Sequence, residues 1–221
     1  MTPCILGEDP SSIEAHVKVL HSQYQKMQPD TAIVRDRMQQ TVAWRQKEIA
    51  DGVTVEDTVK KYPFLRTPTG LGDELERIHP AIGNVWQRRF QLDRTEEMDL
   101  RAALMFLPFI FRENIDCFIT VGECDPGTPY PTIQLTDKDW KMAFTRRAPN
   151  IVNVDGVEVC RGLGIDKGVI VAFCTYFVFN LQYSKHLKNT LMFLQRYILK
   201  IVVDGDQPLP LTVMRQINLL Y

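Results

Sequence analysis

The stretch Arg161-Gly162-Leu163-Gly164-Ile165-Asp166-Lys167-Gly168 is the one whose residue types best suit a ligand. It falls between an expected strand and an expected helix. Amides exposed at the helix start, with Arg161 and Lys167 beside them, can hold a phosphate or carboxylate. The residues assigned to that anion site are Arg161, Gly162, Gly164 and Lys167. Their spacing matches neither a dinucleotide fingerprint nor a P-loop, and a glycine-lined entry into a crowded helix accounts for the same string. A small-ligand enzyme built on residues 162–168 is therefore the least favoured of three functional readings.

Nucleophilic catalysis requires a cysteine within reach of a histidine and an orienting group. The histidines are His16, His21, His79 and His186, and none shares a recognisable signature with a cysteine. His21 falls on an apolar stripe beside Val17 and Tyr24, which predicts a packed core histidine. His186 falls in the first turn of an expected helix, which predicts a solvated one. Neither Cys-x-x-Cys, His-Glu-x-x-His nor a calcium-loop pattern occurs, so no metal and no cofactor is expected. The acid pairs Glu123/Asp125 and Asp137/Asp139 are assigned to loop solvation and helix capping. No catalytic residue is assigned.

Trp44 lies off the stripe formed by Val34, Met38 and Val42, on a side shared with Arg37, Gln40 and Lys47. An aromatic ring flanked by arginine has the composition of an interface anchor, so Trp44, Arg37 and Lys47 are the candidate partner-binding residues. Packing of Trp44 beneath the first helix is the competing expectation. The segment Thr54 to Ile78 can be drawn as a helix-turn-helix with Lys60, Lys61, Arg66 and Arg77 on phosphates. Asp73, Glu74 and Glu76 on the second helix would repel the backbone, so nucleic-acid binding ranks as the alternative. Pro126-Gly127-Thr128-Pro129 is formally a P-x-x-P string, but its acidic neighbours Glu123 and Asp125 argue against a peptide ligand.

These residues must be positioned by a chain of 221 residues, 45% hydrophobic and 24% charged, which is globular composition for one or two domains. Up to Arg94 there are 13 basic and 13 acidic residues, and after it 13 and 14, for a net charge of -1. Neither half carries the concentrated basic field that nucleic acid or an anionic membrane demands. Cys4, Cys117, Cys124, Cys160 and Cys174 are odd in number and widely spaced, as free thiols in a reducing compartment would be. No signal peptide is read at Met1–Pro10, and the most apolar run, Val169 to Leu181, falls well short of the roughly 20 residues a bilayer requires. The expected setting is intracellular, cytoplasm or nucleus.

Ile13, Val17, Leu20, Tyr24 and Met27 step by four and three, predicting a helix capped by Ser11 or Ser12 and stopped at Pro29. A second helix is expected over Thr31 to Ala50, with Val34, Met38, Val42 and Ile49 inward and Gly52 past its end. Thr54 to Asp57 is a capping-box pattern, and Thr67-Pro68 an N-cap and first-turn pair. A piece over Ala81 to Leu92 and a polar boundary at Gln91 to Glu97 follow. Leu100 to Phe111 reads as a central helix that Pro108 kinks or ends. Strands are expected at Ile115–Val121 and Thr132–Leu135, then a helix opening at Thr136–Asp139 and presenting Trp140, Ala143 and Phe144. Asp155-Gly156 forms a type I′ turn in a hairpin over Ile151–Cys160. Helices over Lys167–Asn180 and Lys185–Val203, the latter capped by Ser184, precede a short helix after Leu211.

The strings Lys61-Tyr-Pro-Phe-Leu-Arg-Thr-Pro68, Leu107-Pro-Phe-Ile-Phe-Arg-Glu113, Pro129-Tyr-Pro131 and Leu187-Lys-Asn-Thr-Leu-Met-Phe-Leu-Gln-Arg-Tyr-Ile198 carry a family resemblance. From about Gly7 onward the chain resembles the region that follows the SAM domain in the sterile alpha motif domain-containing protein 3-like family and its fish relatives. That resemblance implies no reaction, cofactor or catalytic residue; members often carry an interaction module upstream. The fold class expected is mainly α with a small β component. A helical N-terminal region, 1–94, packs on an α+β C-terminal region, 95–221, possibly as one continuous domain. The leading functional reading is a non-enzymatic protein-interaction or scaffold domain.

Overall fold

A computed structural model of the chain describes residues 9–78, 104–122, 127–137, 149–202 and 205–219. Helix α1 (Pro10–Tyr24) opens on Asp9, whose carboxylate accepts from the Ser12 amide at 2.8 Å, with Pro10 at the first helical position. The cap is therefore Asp9 rather than a serine. Ile13 and Leu20 are buried as the spacing predicts, but Tyr24 and Met27 are exposed and Gln23 takes the inner place. Gln23 Oε1 accepts from the Asp30 amide at 3.0 Å and so ties the end of α1 to the start of α2 (Thr31–Gln40).

The single helix expected over Thr31 to Ala50 is broken at Thr41 into α2 and α3 (Val42–Ala50). Thr41 Oγ1 donates back to the Arg37 carbonyl at 2.9 Å, a bond that competes with the helical ladder and bends it. Gly52, at φ +94°, turns the chain out of α3 as expected. In α4 (Val55–Lys61) Thr54 Oγ1 accepts from the Asp57 amide at 3.1 Å and donates to Asp57 Oδ2 at 2.8 Å. The acid thus returns its bond to the threonine hydroxyl. A 3₁₀ turn, Pro63–Arg66, leads to α5 (Pro68–Ile78), where Thr67 Oγ1 accepts from the Gly70 amide at 3.0 Å.

The expected piece at Ala81–Leu92, the boundary at Gln91–Glu97 and the helix bearing Trp140, Ala143 and Phe144 lie outside the described residues. Residues 104–110 are helical. Of the strand expected over Ile115–Val121, the first part is a 3₁₀ turn, Ile115–Cys117, and only Ile119–Val121 (β1) is extended. The sheet runs in the order β1, β2 (Thr132–Leu135), β3 (Asn150–Val154), β4 (Val157–Leu163). β1 and β2 are parallel, with Ile119 opposite Ile133; the other pairs are antiparallel. Asp155 and Gly156 both have positive φ, +53° and +72°, as a type I′ hairpin turn demands. The β3–β4 register shifts between Asn150 and Ile151, where Gly162 is the extra residue, at φ +81°.

Helix α6 (Ile165–Val178) is buried on almost every side and packs against α5, β2 and β3. One apolar core takes Leu20, Met38, Leu71 and Leu75 from before Arg94 together with Ile133, Val152, Ala172 and Leu191 from after it. The last long helix begins later than expected. Ser184 closes a turn, its Oγ accepting from the His186 amide at 3.3 Å, and α7 (Lys188–Phe193) passes into a π turn, Leu194–Ile198. The final helix, α8, spans Leu211–Asn218.

The cap of α7 comes from far upstream. Glu113 accepts from the Asn189 amide at 2.8 Å with one carboxylate oxygen and from the Thr190 amide at 2.9 Å with the other. It satisfies two orphan donors and places negative charge at the helix start. Glu113→Ala is expected to cost about 1–2 kcal/mol, with Glu113→Gln keeping part of that because an amide oxygen still accepts. Urea unfolding checks this; equal midpoints for wild type and Glu113→Ala would contradict it.

Candidate functional site

The helices α2 to α5 are locked by a charge pair that water does not reach. Arg45 and Glu74 both have fully buried side chains. The guanidinium donates to Glu74 Oε1 from Nε at 2.9 Å and from Nη2 at 2.6 Å, to Thr41 Oγ1 at 2.8 Å, and to the Met38 carbonyl at 3.2 Å. Tyr62, fully buried, lies 4.8 Å from the guanidinium carbon, and Arg77 adds a second cation to Glu74 at 3.1 Å. Burial pushes the Tyr62 phenol well above its ordinary range, and the neighbouring Glu48 carboxylate adds to that. α3 thus turns an arginine inward beside Ile49, which is buried as expected, while Val42 is only half-buried.

Trp44 is half-buried, and its indole N–H donates to Glu48 Oε1 at 2.8 Å. Glu48 also takes Lys61 at 2.5 Å and the Tyr62 hydroxyl at 3.3 Å, so Trp44 caps a polar cluster at the α3–α4 seam. Lys47 is exposed. Arg37 turns the other way, toward α1, with its Nη1 3.2 Å from His16 Nδ1. The structure therefore puts Trp44 and Lys47 on one helix and Arg37 across the Thr41 bend. His21 is exposed, because Gln23 and Leu20 fill the inner face of α1; it is not the core histidine the stripe suggested. His186 is also exposed, in the turn before α7.

In the 161–168 stretch, the exposed Arg161 guanidinium donates to Glu158 Oε1 at 2.9 Å, and that pair holds the Glu158 carboxyl below its usual range. Gly162 forms the bulge and Gly164 caps α6, while Asp166 places an acid in the first helical turn. Gly168 has a packing reason: a Cβ there would sit 2.7 Å from Asn150 Oδ1, so α6 approaches β3 only without a side chain. Lys167 is exposed. Among the described residues no group of three or more His, Cys, Asp or Glu is placed to hold a metal ion. Burial lifts the Cys160 thiol to about 11, and pushes Cys174 higher still, which makes both poor nucleophiles.

Two surface features escaped the sequence patterns. On the helical segment 104–110, Phe106, Phe109 and Ile110 are 50%, 56% and 48% exposed, whereas Leu104, Met105 and Leu107 are buried. The Phe106 and Phe109 rings lie 5.9 Å apart. A run this apolar suggests burial on all sides, and the exposed triad could have been found only by placing the buried face first. The second feature is a cleft of about 380 Å³ at the C-terminal end of α6, where Gln46 and Ile78 from the first helices meet Tyr176, Tyr183, Gln195 and Asp206. No helix among the described residues is long and apolar enough to cross a membrane.

A search of the curated proteins and of the solved structures finds no match. Residues 11–67 match the family model described as Sterile alpha motif domain-containing protein 3, helical domain. The matched stretch runs from the first turn of α1 to Thr67, the residue that caps α5, and so contains Arg45 but not Glu74. Over residues 11–67 the chain is similar to the helical domain of the sterile alpha motif domain-containing protein 3 family.

Proposed function

We propose that the chain is a protein-interaction or scaffold domain whose principal contact surface is the apolar triad Phe106, Phe109 and Ile110. Trp44 and Lys47 form a second contact region in the same reading, and Arg37, across the Thr41 bend toward α1, a separate one. The observation that carries it is the exposure of three large apolar side chains on one helical turn whose neighbours Leu104, Met105 and Leu107 anchor it in the core. Aromatic side chains held rigidly at a surface lose little entropy on binding and dominate interface energetics. The similarity of residues 11–67 to the helical domain of sterile alpha motif domain-containing protein 3 is compatible with such a role, and the free thiols Cys117, Cys160 and Cys174 fit an intracellular setting.

Nucleic acid is the less supported partner. In the 54–78 region Lys60 lies 2.6 Å from Glu56, Lys61 2.5 Å from Glu48 and Arg77 3.1 Å from Glu74, so three of the four cations face carboxylates of their own chain. Phosphate binding would have to displace those partners.

Recovery of partners from cells by the tagged full chain, quantified by mass spectrometry, tests the reading. A Phe106→Asp/Phe109→Asp variant is expected to lose more than about tenfold of its specific partners, the effect of truncating hot-spot aromatics. Trp44→Ala is expected to lose less, and its circular dichroism should match wild type. Identical partner sets and amounts from all three proteins would contradict the proposal.

A further inference from the structure

The cleft at the end of α6 is independent of the apolar triad, and its chemistry is different. Its volume, about 380 Å³, lies in the range of small-molecule sites. Two of its walls are aromatic: the Tyr176 and Tyr183 rings meet edge to face at 5.1 Å and 88°, which fixes both. Its polar floor is equally fixed. Tyr183 Oη donates to Gln195 Oε1 at 2.9 Å, and Gln195 Nε2 donates to Asp206 Oδ2 at 2.9 Å. Arg196 holds the same carboxylate oxygen from the side. Gln195 sits in the π turn Leu194–Ile198, a local widening that recurs at binding sites.

One group in this cleft is unsatisfied. Tyr176 is 2% exposed, and among the described residues its hydroxyl proton meets no acceptor at bonding geometry, while the nearby Ser184 amide acts on the oxygen as a donor would. A buried hydroxyl in that condition costs stability unless something completes it. Gln46, whose amide nitrogen faces the Val178 carbonyl at 3.5 Å, brings a carboxamide oxygen to the same cleft. The site thus offers a donor at Tyr176, an acceptor at Gln46 and an aromatic wall at the half-buried Tyr183. Among the described residues that line it there is a carboxylate and no cation.

We propose that this cleft binds a neutral planar heteroaromatic ligand of the nucleobase or nucleoside class. The ring packs against Tyr183, a ring nitrogen or carbonyl accepts the Tyr176 proton, and an exocyclic amino group donates to Gln46. Aromatic packing tolerates several bases, while paired donor and acceptor edges select against simple hydrocarbons. With Asp206 already paired to Arg196 and no cation among the described lining residues, an added phosphate would be desolvated without a partner.

Titration of the full chain with adenosine, uridine and AMP, followed by calorimetry and by amide shifts of residues 176–196, tests the site. Saturable binding of at least one nucleoside is expected, with AMP several-fold weaker. Tyr176→Phe should weaken nucleoside binding by about 5–10-fold, the worth of one hydrogen bond, without lowering the melting temperature of the unliganded protein. Gln46→Leu should weaken it independently. Absence of saturable binding by either nucleoside up to ~10 mM, AMP binding as tightly as adenosine, or unchanged affinity in Tyr176→Phe would overturn the proposal. None of these results depends on Phe106 or Phe109.

Discussion

Glu74→Ala is expected to lower the unfolding free energy by about 3–5 kcal/mol, the effect of leaving a buried guanidinium without its carboxylate. Arg45 and Glu74 are both fully buried, so neither charge can recover solvation when its partner is removed. Arg45 keeps Thr41 Oγ1 and the Met38 carbonyl, but both are neutral acceptors. Arg45→Ala is expected to cost a similar amount, because it also removes the ring contact with Tyr62 and leaves a cavity. The double replacement Arg45→Met/Glu74→Leu should recover most of either single loss, since two well-packed apolar side chains need no solvation, with the loss of the Arg77 partner as the remaining cost. Urea unfolding of the three variants separates the cases: two low midpoints and a restored double variant are expected. Additive losses in the double variant would show that the pair stabilises by attraction beyond its desolvation cost.

Gly70→Ala is expected to be nearly as damaging, on the order of 3 kcal/mol, for a steric reason. A Cβ at residue 70 would lie 1.9 Å from the Phe64 carbonyl oxygen and 2.8 Å from Thr67 Oγ1. The first contact is with backbone, so no rotamer change relieves it. The Phe64 carbonyl also accepts from the Thr67 amide at 3.1 Å and from Thr67 Oγ1 at 2.8 Å, and moving it undoes the cap of α5. Because α5 carries Glu74, loosening its start also disturbs the buried pair. Thermal unfolding should show a drop of many degrees, and an unchanged transition would refute the close approach.

The features that were legible in the chain are those whose cause is local. Asp155-Gly156, Thr54 to Asp57, Thr67-Pro68 and Gly52 each act on amides or φ angles within three residues, and the structure places all of them as the spacing predicts. Features set by distant partners were not legible. Arg45 sits where surface charge is the default, and its partner is 29 residues on; Glu113 caps a helix 76 residues away. The helix over Thr31–Ala50 breaks because Thr41 serves both the Arg37 carbonyl and the Arg45 guanidinium, a double role that helix propensity does not encode.

The candidate sites divide along the same line. Gly162 and Gly168 are accounted for by a bulge and by close packing on Asn150, both tertiary facts. Trp44 lies off the buried stripe as expected, yet its partner is Glu48 on its own helix rather than α1. The cleft at the end of α6 gathers Gln46, Tyr176 and Gln195 from widely separated parts of the chain, so no window of sequence contains it.

The most direct test of the interaction reading is a photoreactive phenylalanine analogue placed at Phe109 in the full chain and irradiated in cells. A discrete set of crosslinked proteins is expected at 109, lost when Phe106→Asp is added and absent when the analogue replaces the exposed Lys18 on α1. The same diffuse pattern at 109 and 18, unaffected by Phe106→Asp, would contradict a contact surface at the apolar triad.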